Sequence, residues 1–246
     1  MTPMDRALAD ALIAARNGGA LIETLMTPPP DDWAAVQAAV MPMTGPAGGF
    51  KAGAAETVEA TTFAPIPASA IRASGSIIPA GGSRLYGVEL EIGFTLLAEP
   101  PALDAPDFDT ALAARLAMVP AIEIVESRLD DHINAHPLLK LADCSANQGL
   151  VVGAPLSDWS GVALDRPTAK FTIGGSVVWD GPGNVPGGDA FLTVARFVKA
   201  VGQHSGGLKP GHTIITGALT GLLYAKAGDT VTGQIDGLGT VETTFG

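Results

Sequence analysis

The stretch Gly87-Val88-Glu89-Leu90-Glu91-Ile92-Gly93-Phe94 constrains this chain more than any other. Branched and aromatic residues alternate with polar ones, and glycine brackets the run, so it reads as a β-strand. Residues two apart on a strand share a face. Glu89 and Glu91 therefore stand side by side, with Val88, Leu90 and Ile92 on the other face. Neighbouring carboxylates repel, and a partly buried site makes the repulsion costly. A hard divalent cation resolves it. So does water, if the strand shows its charged face to solvent. On the strand alone both readings stand.

A third acid favours the cation. Val119 to Arg128 is a second strand-like run, with Glu123 flanked by Ile122 and Ile124. Together Glu89, Glu91 and Glu123 read as an all-oxygen ligand set, which selects Mg²⁺ or Mn²⁺ over zinc. Glu126 and Arg128 fall on the face opposite Glu123 and read as a structural ion pair. His132 and His136 lie four apart, but Pro137 follows and no third soft ligand accompanies them, a weak zinc signal. His212 reads as a turn residue. Cys144 reads as a small core side chain rather than a nucleophile, and no G-x-S-x-G elbow occurs.

Composition limits the function classes. A net charge of −11 argues against nucleic acid as a partner. The run of about 18 apolar residues that a membrane helix needs is missing. Asp5 and Asp10 interrupt the only early apolar run, so no signal peptide is read. The single cysteine excludes an intramolecular disulfide and fits a reducing cytoplasm. Hydrophobic residues reach 47% against 16% charged, with mean hydropathy +0.31, which predicts subunit interfaces and a homo-oligomer. There is no glycine-rich phosphate loop, C-x-x-C pair or internal repeat.

Periodicity predicts a helix over Met4–Gly18. Asp31-Asp32 is expected to cap a second helix containing Trp33, Val36 and Gln37, after the linker Pro28-Pro29-Pro30. Pro42 to Gly49 reads as a loop. Helices are expected over Phe108–Met118 and Ala190–Val201, and strands over Thr213–Thr216, Asp229–Ile235 and Thr240–Phe245. The class is α+β, strand-rich, with a helical N-terminal segment at 1–48 and a catalytic domain at 49–246.

Several pieces, in order along the chain, resemble the 2-keto-4-pentenoate hydratase branch of the fumarylacetoacetate hydrolase superfamily. They are Ala11 to Arg16, the turn Gly49-Phe50-Lys51-Ala52-Gly53, and the strand Glu89-Leu90-Glu91-Ile92-Gly93-Phe94. Pro120 to Val125 with Ser127-Arg128 follows, then Asp143 with Asn147-x-Gly149. The run Gly211 to Leu219, then Gly228-Asp229 and Gly237-Leu238-Gly239, completes the set. The resemblance implies a mixed β-sandwich or roll, Mg²⁺ or Mn²⁺ as cofactor, and a small 2-oxo acid substrate. Its metal-ligand positions fall on Glu89, Glu91 and Glu123, and its active-site lysine on Lys51. Taken alone, Lys51 in a glycine-rich loop reads as a solvated charge; opposite an ion it would neutralise a substrate carboxylate or enolate. Asn147 either binds substrate through its amide or holds a turn. Thr216 either contacts the substrate carboxylate or is an ordinary strand hydroxyl.

The reaction so implied is metal-assisted hydration of a 2-hydroxydienoate. The alternatives are decarboxylation of a related oxo-diacid, acylpyruvate-type C–C hydrolysis, and a non-catalytic relative that supports a partner enzyme. In the hydrolase relatives a histidine-containing dyad lies upstream of the metal strands, and no histidine precedes His132 here. The family pattern also carries an acid after the lysine turn, whereas Thr61 to Ser69 has none.

Overall fold

The structure is a computed structural model that describes residues 1–80 and 85–246. It opens with two helices, α1 (Pro3–Arg16) and α2 (Trp33–Thr44). Thr2 and Asp5 form a reciprocal capping box on α1, and the Asp32 carboxylate accepts from Ala35 N at the start of α2. The strands that follow are β1 (Ala47–Ala52), β2 (Phe63–Pro67), β3 (Ile71–Ala73), β4 (Ser76–Ile78) and β5 (Leu85–Leu96). Next come α3 (Phe108–Ala113), β6 (Leu116–Val125), α4 (Pro137–Ala142), β7 (Asn147–Val152), β8 (Thr168–Ile173) and β9 (Ser176–Pro182). Helix α5 (Ala190–Ala200) precedes β10 (Thr213–Ala218), β11 (Leu223–Lys226), β12 (Thr230–Ile235) and β13 (Gly239–Phe245).

The described strands build two mixed sheets. One runs β2-β1-β10-β5-β6-β7-β3, with β11 also paired to β5; the other runs β4-β13-β12-β8-β9. The long strand β5 has two sides with different fates. Val88, Leu90, Ile92 and Phe94 are fully buried against Phe171, Val231, Val241 and Phe245 of the second sheet. Each such side chain stabilises the sandwich by roughly 1.5–3 kcal/mol. Leu90 sits directly on Gly233 of β12, where any Cβ would overlap it, so that glycine sets the distance between the sheets. The opposite face of β5 carries Glu89 and Glu91.

A second apolar cluster joins Leu8 and Leu12 of α1, Val36 and Val40 of α2, and Leu129 and Leu139 near α4. It clamps the N-terminal helices onto the segment that follows β6. No helix among the described residues is long and apolar enough to cross a membrane.

Several expectations are corrected. Leu116 to Met118 belong to β6, not to the preceding helix, because they pair with Leu96, Thr95 and Phe94. An all-apolar stretch fits either period, and the neighbouring strand decides. Helix α2 continues through Pro42 to Thr44, and the Thr44 hydroxyl donates to the Met41 carbonyl at 3.0 Å. Lys51 lies within β1, not in a loop, since β1 pairs with β2 and β10 on both sides. Arg128 does not pair with the Glu126 carboxylate. It pairs with Asp143, Nε to Oδ1 at 2.5 Å, and meets Glu126 through the main-chain carbonyl.

Candidate active site

Strand register puts the acids together. Glu89 lies directly opposite Glu123 in the β5–β6 pair, and Glu91 follows two residues on. On the other flank, β10 bulges between Ile215 and Ala218, and the freed Gly217 N–H donates to Glu91 Oε2 at 2.5 Å. One carboxylate oxygen from each of the three glutamates lies within 4.8 Å of the others. Glu91 and Glu123 are fully buried, and Glu89 is 16% exposed. This is the one His/Cys/Asp/Glu group among the described residues with such convergence.

Lys51 reaches the acids from β1. Its neighbours Phe50 and Ala52 point into the core, so alternation directs Lys51 to the acidic face. Nζ lies 2.8 Å from Glu123 Oε2 and 3.8 Å from Glu89 Oε2, and donates to the Ser145 carbonyl at 3.3 Å. Burial opposes its charge, but Glu123, then Glu89 and Glu91, outweigh burial and hold the ammonium above its ordinary pKa. One ammonium does not neutralise three carboxylates. Burial raises the Glu89 carboxyl to about 7; Lys51 acts against that rise and Glu123 adds to it. Burial, then Glu123, pushes Glu91 well above the ordinary range.

The donor set fits a hard divalent ion. Three convergent oxygens belong to acids, and Glu91 Oε1 is buried with no hydrogen-bond partner among the described residues. Fully ionised, the cluster with Lys51 carries two excess negative charges, which one divalent cation would balance.

The remaining sequence-predicted residues fall nearby. Asn147 Nδ2 donates to Glu123 Oε1 at 2.8 Å, so the amide orients an acid of the cluster, and Oδ1 has no partner among the described residues. The Thr216 hydroxyl donates to the Ile92 carbonyl at 3.0 Å and is thus engaged with the backbone. Thr216 nonetheless lines a cavity of about 160 Å³ together with Lys51, Phe63, Ser145, Pro186 and Gly217. A larger groove of about 410 Å³ along Met41, Pro46 and Ser205 has no titratable lining residue. His136 is a helix cap, accepting from Leu138 N, and does not join His132 in a metal site.

Sequence reasoning missed the turn that supports Lys51. Cys144, Ser145 and Ala146 have φ of 50°, 50° and 62°, a left-handed run without glycine. Each such residue costs roughly 1–2 kcal/mol. Asp143 anchors the turn at one end: its carboxylate takes Arg128 N and the Ser127 hydroxyl, both at 3.0 Å, besides the guanidinium. Arg128 also donates to the carbonyls of Asp143 at 2.6 Å and Asn147 at 3.1 Å, bracketing the turn. The pairing of Ser127-Arg128 with Asp143 and Asn147 was the available signal; three consecutive left-handed residues leave none.

Residues 48–246 match the family model described as fumarylacetoacetate (FAA) hydrolase, C-terminal. A 2-keto-4-pentenoate hydratase of Paraburkholderia xenovorans (strain LB400) is 30% identical over 158 residues, 64% of this chain and 58% of that protein. The match thus spans less than two thirds of that relative's length. Among solved structures, 4-oxalocrotonate decarboxylase from Pseudomonas putida G7, complexed with magnesium and adipate, superposes with a TM-score of 0.76 at 19% identity. That superposition covers 98% of this chain and 97% of that one. Fumarylpyruvate hydrolase from Pseudomonas aeruginosa, in complex with Mn²⁺ and pyruvate, gives 0.53 at 14% identity, covering 80% and 88%.

Proposed function

The chain belongs to the fumarylacetoacetate hydrolase family, and from that premise we propose that it is a divalent-metal-dependent hydro-lyase that adds water to a small 2-oxo-alkenoate. The observation that carries this reading is the convergence of three glutamate oxygens within 4.8 Å beside a partly buried ammonium. Glu89, Glu91 and Glu123 would hold Mg²⁺ or Mn²⁺, which supplies Lewis-acid polarisation of a 2-oxo carbonyl and neutralises enolate charge. Lys51 holds the anionic end of the substrate, and its charge becomes more valuable as the enolate forms. Asn147 fixes the rotamer of Glu123 and leaves Oδ1 for a substrate donor. Thr216 and Gly217 form part of the wall of the Lys51 cavity. Apolar Ala52, Ala54, Phe63 and Pro186 exclude water from that side.

The hydratase relative and the decarboxylase neighbour favour different substrates. An oxo-diacid brings a second carboxylate. Among the described residues lining the Lys51 cavity, Lys51 is the single cation. A buried carboxylate without a partner is costly, so a mono-acid and hydration are favoured over decarboxylation of a diacid. We also propose a homo-oligomer, supported by the exposed Leu25 at 93%, Ile133 at 82% and Met26 at 78%; a monomer by light scattering at micromolar concentration counts against it.

The test is a screen of C5–C7 hydroxydienoates and oxo-alkenoates by ultraviolet absorbance, with Mg²⁺, with Mn²⁺ and with chelator. The expected result is metal-dependent hydration of a mono-acid, with oxo-diacids turned over at least about tenfold more slowly, a difference of about 1.4 kcal/mol. Faster decarboxylation of the diacid, or turnover that survives chelation, overturns the reading.

A further inference from the structure

A second cavity opens on the acidic face. Gly87 pairs with Val125 two residues along β5 and β6 from the Glu89–Glu123 pair. With the strand period of two, all four side-chain positions share one face. A cavity of about 230 Å³ lies over this second pair, walled by Ala146, His132, Leu222 and Tyr224. Its Gly87–Val125 floor lies one same-face pair along the strands from Glu89, the acid of the three that is partly exposed. Gly87 keeps its floor open: a Cβ there would come within 2.8 Å of the Val125 carbonyl oxygen and 2.9 Å of Leu222 Cδ1.

We propose that this cavity seats the distal carbons of the substrate and that His132 is the catalytic residue that moves the proton of the added water. The inference rests on the hydratase reading above.

Two strand residues advance about 6.6 Å. With an ion bound at the glutamates, a 2-oxo acid that meets it through its carboxylate and 2-oxo oxygen, carboxylate end toward Lys51, would direct C3, C4 and C5 toward the second pair. The walls met there, Val125, Ala146, Leu222 and Tyr224, suit a short uncharged tail. The proton chemistry must also happen there, because water adds at C4. With an ion bound, the cluster acids would serve as its ligands. Lys51, held between carboxylates, stays protonated and cannot accept a proton. His132 lines that cavity, and its Nδ1 is buried with no hydrogen-bond partner among the described residues. Burial, with Lys140 next, keeps the imidazole below its ordinary pKa; Asp143 opposes this, and Lys51 and Arg128 reinforce it. The neutral form of the ring is therefore favoured. Glu126 and Ser127 also border the cavity, but the Ser127 hydroxyl is donated to Asp143.

The step balances as follows. The water oxygen bonds to C4 of the 2-oxo-3-enoate as its proton passes to the His132 imidazole. The C3=C4 pair moves to C2–C3 and the carbonyl pair to the 2-oxygen, giving an enolate. The enolate then takes the proton from the imidazolium at C3, and the carbonyl reforms. The net change is H and OH across C3=C4, with His132 neutral again.

The experiment uses 2-oxopentanoate, a saturated five-carbon acid that cannot be hydrated, with Mg²⁺ and the full chain. The four histidine C2–H resonances are followed by NMR and assigned with His132→Gln, His132→Asn and His136→Gln. The expected result is a shift of the His132 resonance on ligand addition and none at His136. In kinetics His132→Gln should lose about 100-fold or more in kcat, retain Mg²⁺ and 2-oxopentanoate binding within about threefold, and lose the acidic limb of the pH profile. His136→Gln, outside the cavity, should retain both turnover and that limb. A wild type that hydrates alkenoates while ligand leaves His132 unshifted overturns this inference alone. A kcat of His132→Gln within about threefold of wild type, or a loss confined to Glu126→Gln, overturns the proton-transfer role. A shifted His132 in a wild type that turns over no alkenoate overturns the hydratase reading and the catalytic role, while the tail's seat stands.

Discussion

Lys51 Nζ lies 2.8 Å from Glu123 Oε2, although the two residues belong to strands separated by β10 and β5. The lysine stem spans the acidic face, and its ammonium sits among carboxylates that lack any other cation among the described residues. Lys51 is thus part of the electrostatic structure of the fold.

The consequence for Lys51→Met is a double effect. Turnover should fall by two to three decades, the scale for removing one preorganised charge from a developing anion. The metal-free protein should also lose stability, because removing one partner of a buried pair costs roughly 3–5 kcal/mol where the other stays charged. Protonation of the acids will reduce that loss, so it should be larger at pH 8 than at pH 5. Chemical denaturation with chelator at the two pH values checks this. Equal stability of variant and parent at pH 8 would contradict the structural role, and unaltered turnover the catalytic one.

A related pH dependence follows for the parent protein. Glu89 has a carboxyl raised from 4.5 to about 7 by burial, so between those values the folded state binds more protons than the unfolded state. Stability must then fall as pH rises through that window. The contribution is present below pH 4.5 and is lost by about pH 7, the reverse of a salt-bridged acid. A divalent ion competes with the protons, so Mg²⁺ or Mn²⁺ binding should release protons near pH 6 and strengthen toward pH 8. Calorimetric titration in two buffers of different ionisation enthalpy reads the proton count directly. Affinity that does not change between pH 6 and pH 8 would count against the acids as ligands.

The two faces of β5 were legible from alternation alone, because a strand with Val88, Leu90 and Ile92 on one side has a single way to be buried. The pairing of Glu89 with Glu123 was suggested by flanking isoleucines, but its register comes from the β5–β6 ladder. The Lys51 environment was misread as a loop because Gly49 and Gly53 look like turn residues. In the fold Gly49 is needed for close approach, since a Cβ there would overlap the Thr213 carbonyl of β10. Arg128 was paired with the wrong acid because sequence shows only near neighbours, whereas Asp143 arrives after α4. His132 gave no cavity signal, since the walls opposite it, Gly87 and Leu222, lie far away in sequence.

The Arg128–Asp143 clamp gives a third prediction. Asp143→Asn removes the charge that Arg128 meets at 2.5 Å, and should destabilise the protein by roughly 3–5 kcal/mol. Ala146→Gly, by contrast, relieves a residue held at φ 62°, and should raise stability by about 1 kcal/mol. If the turn positions Ser145 against Lys51, the stabilised Ala146→Gly variant will have lower kcat. Thermal melts and kinetics on the same samples separate the effects; a variant both more stable and fully active would show that the turn's strain has no bearing on Lys51.

Glu91→Gln should separate stability from function most sharply. Glu91 is fully buried, with one oxygen on Gly217 N–H and the other without a partner among the described residues. Burial, then Glu123, holds its carboxyl well above the ordinary range, so in the metal-free protein it keeps a proton to higher pH than an exposed acid does. Glutamine reproduces that neutral form: its carbonyl can accept from Gly217 and its amide can donate toward the remaining acids. Replacement therefore removes a like-charge neighbour without opening a cavity. The metal-free variant should be more stable than the parent, by an amount that grows as pH rises from 6 to 9. The same change removes an anionic oxygen from the proposed ligand set and should weaken Mg²⁺ or Mn²⁺ binding at least tenfold, or about 1.4 kcal/mol. Urea unfolding with chelator gives the first quantity and calorimetric titration the second. A Glu91→Gln protein that is less stable without metal and binds the ion as tightly as the parent would show that Glu91 is held by something other than electrostatic conflict.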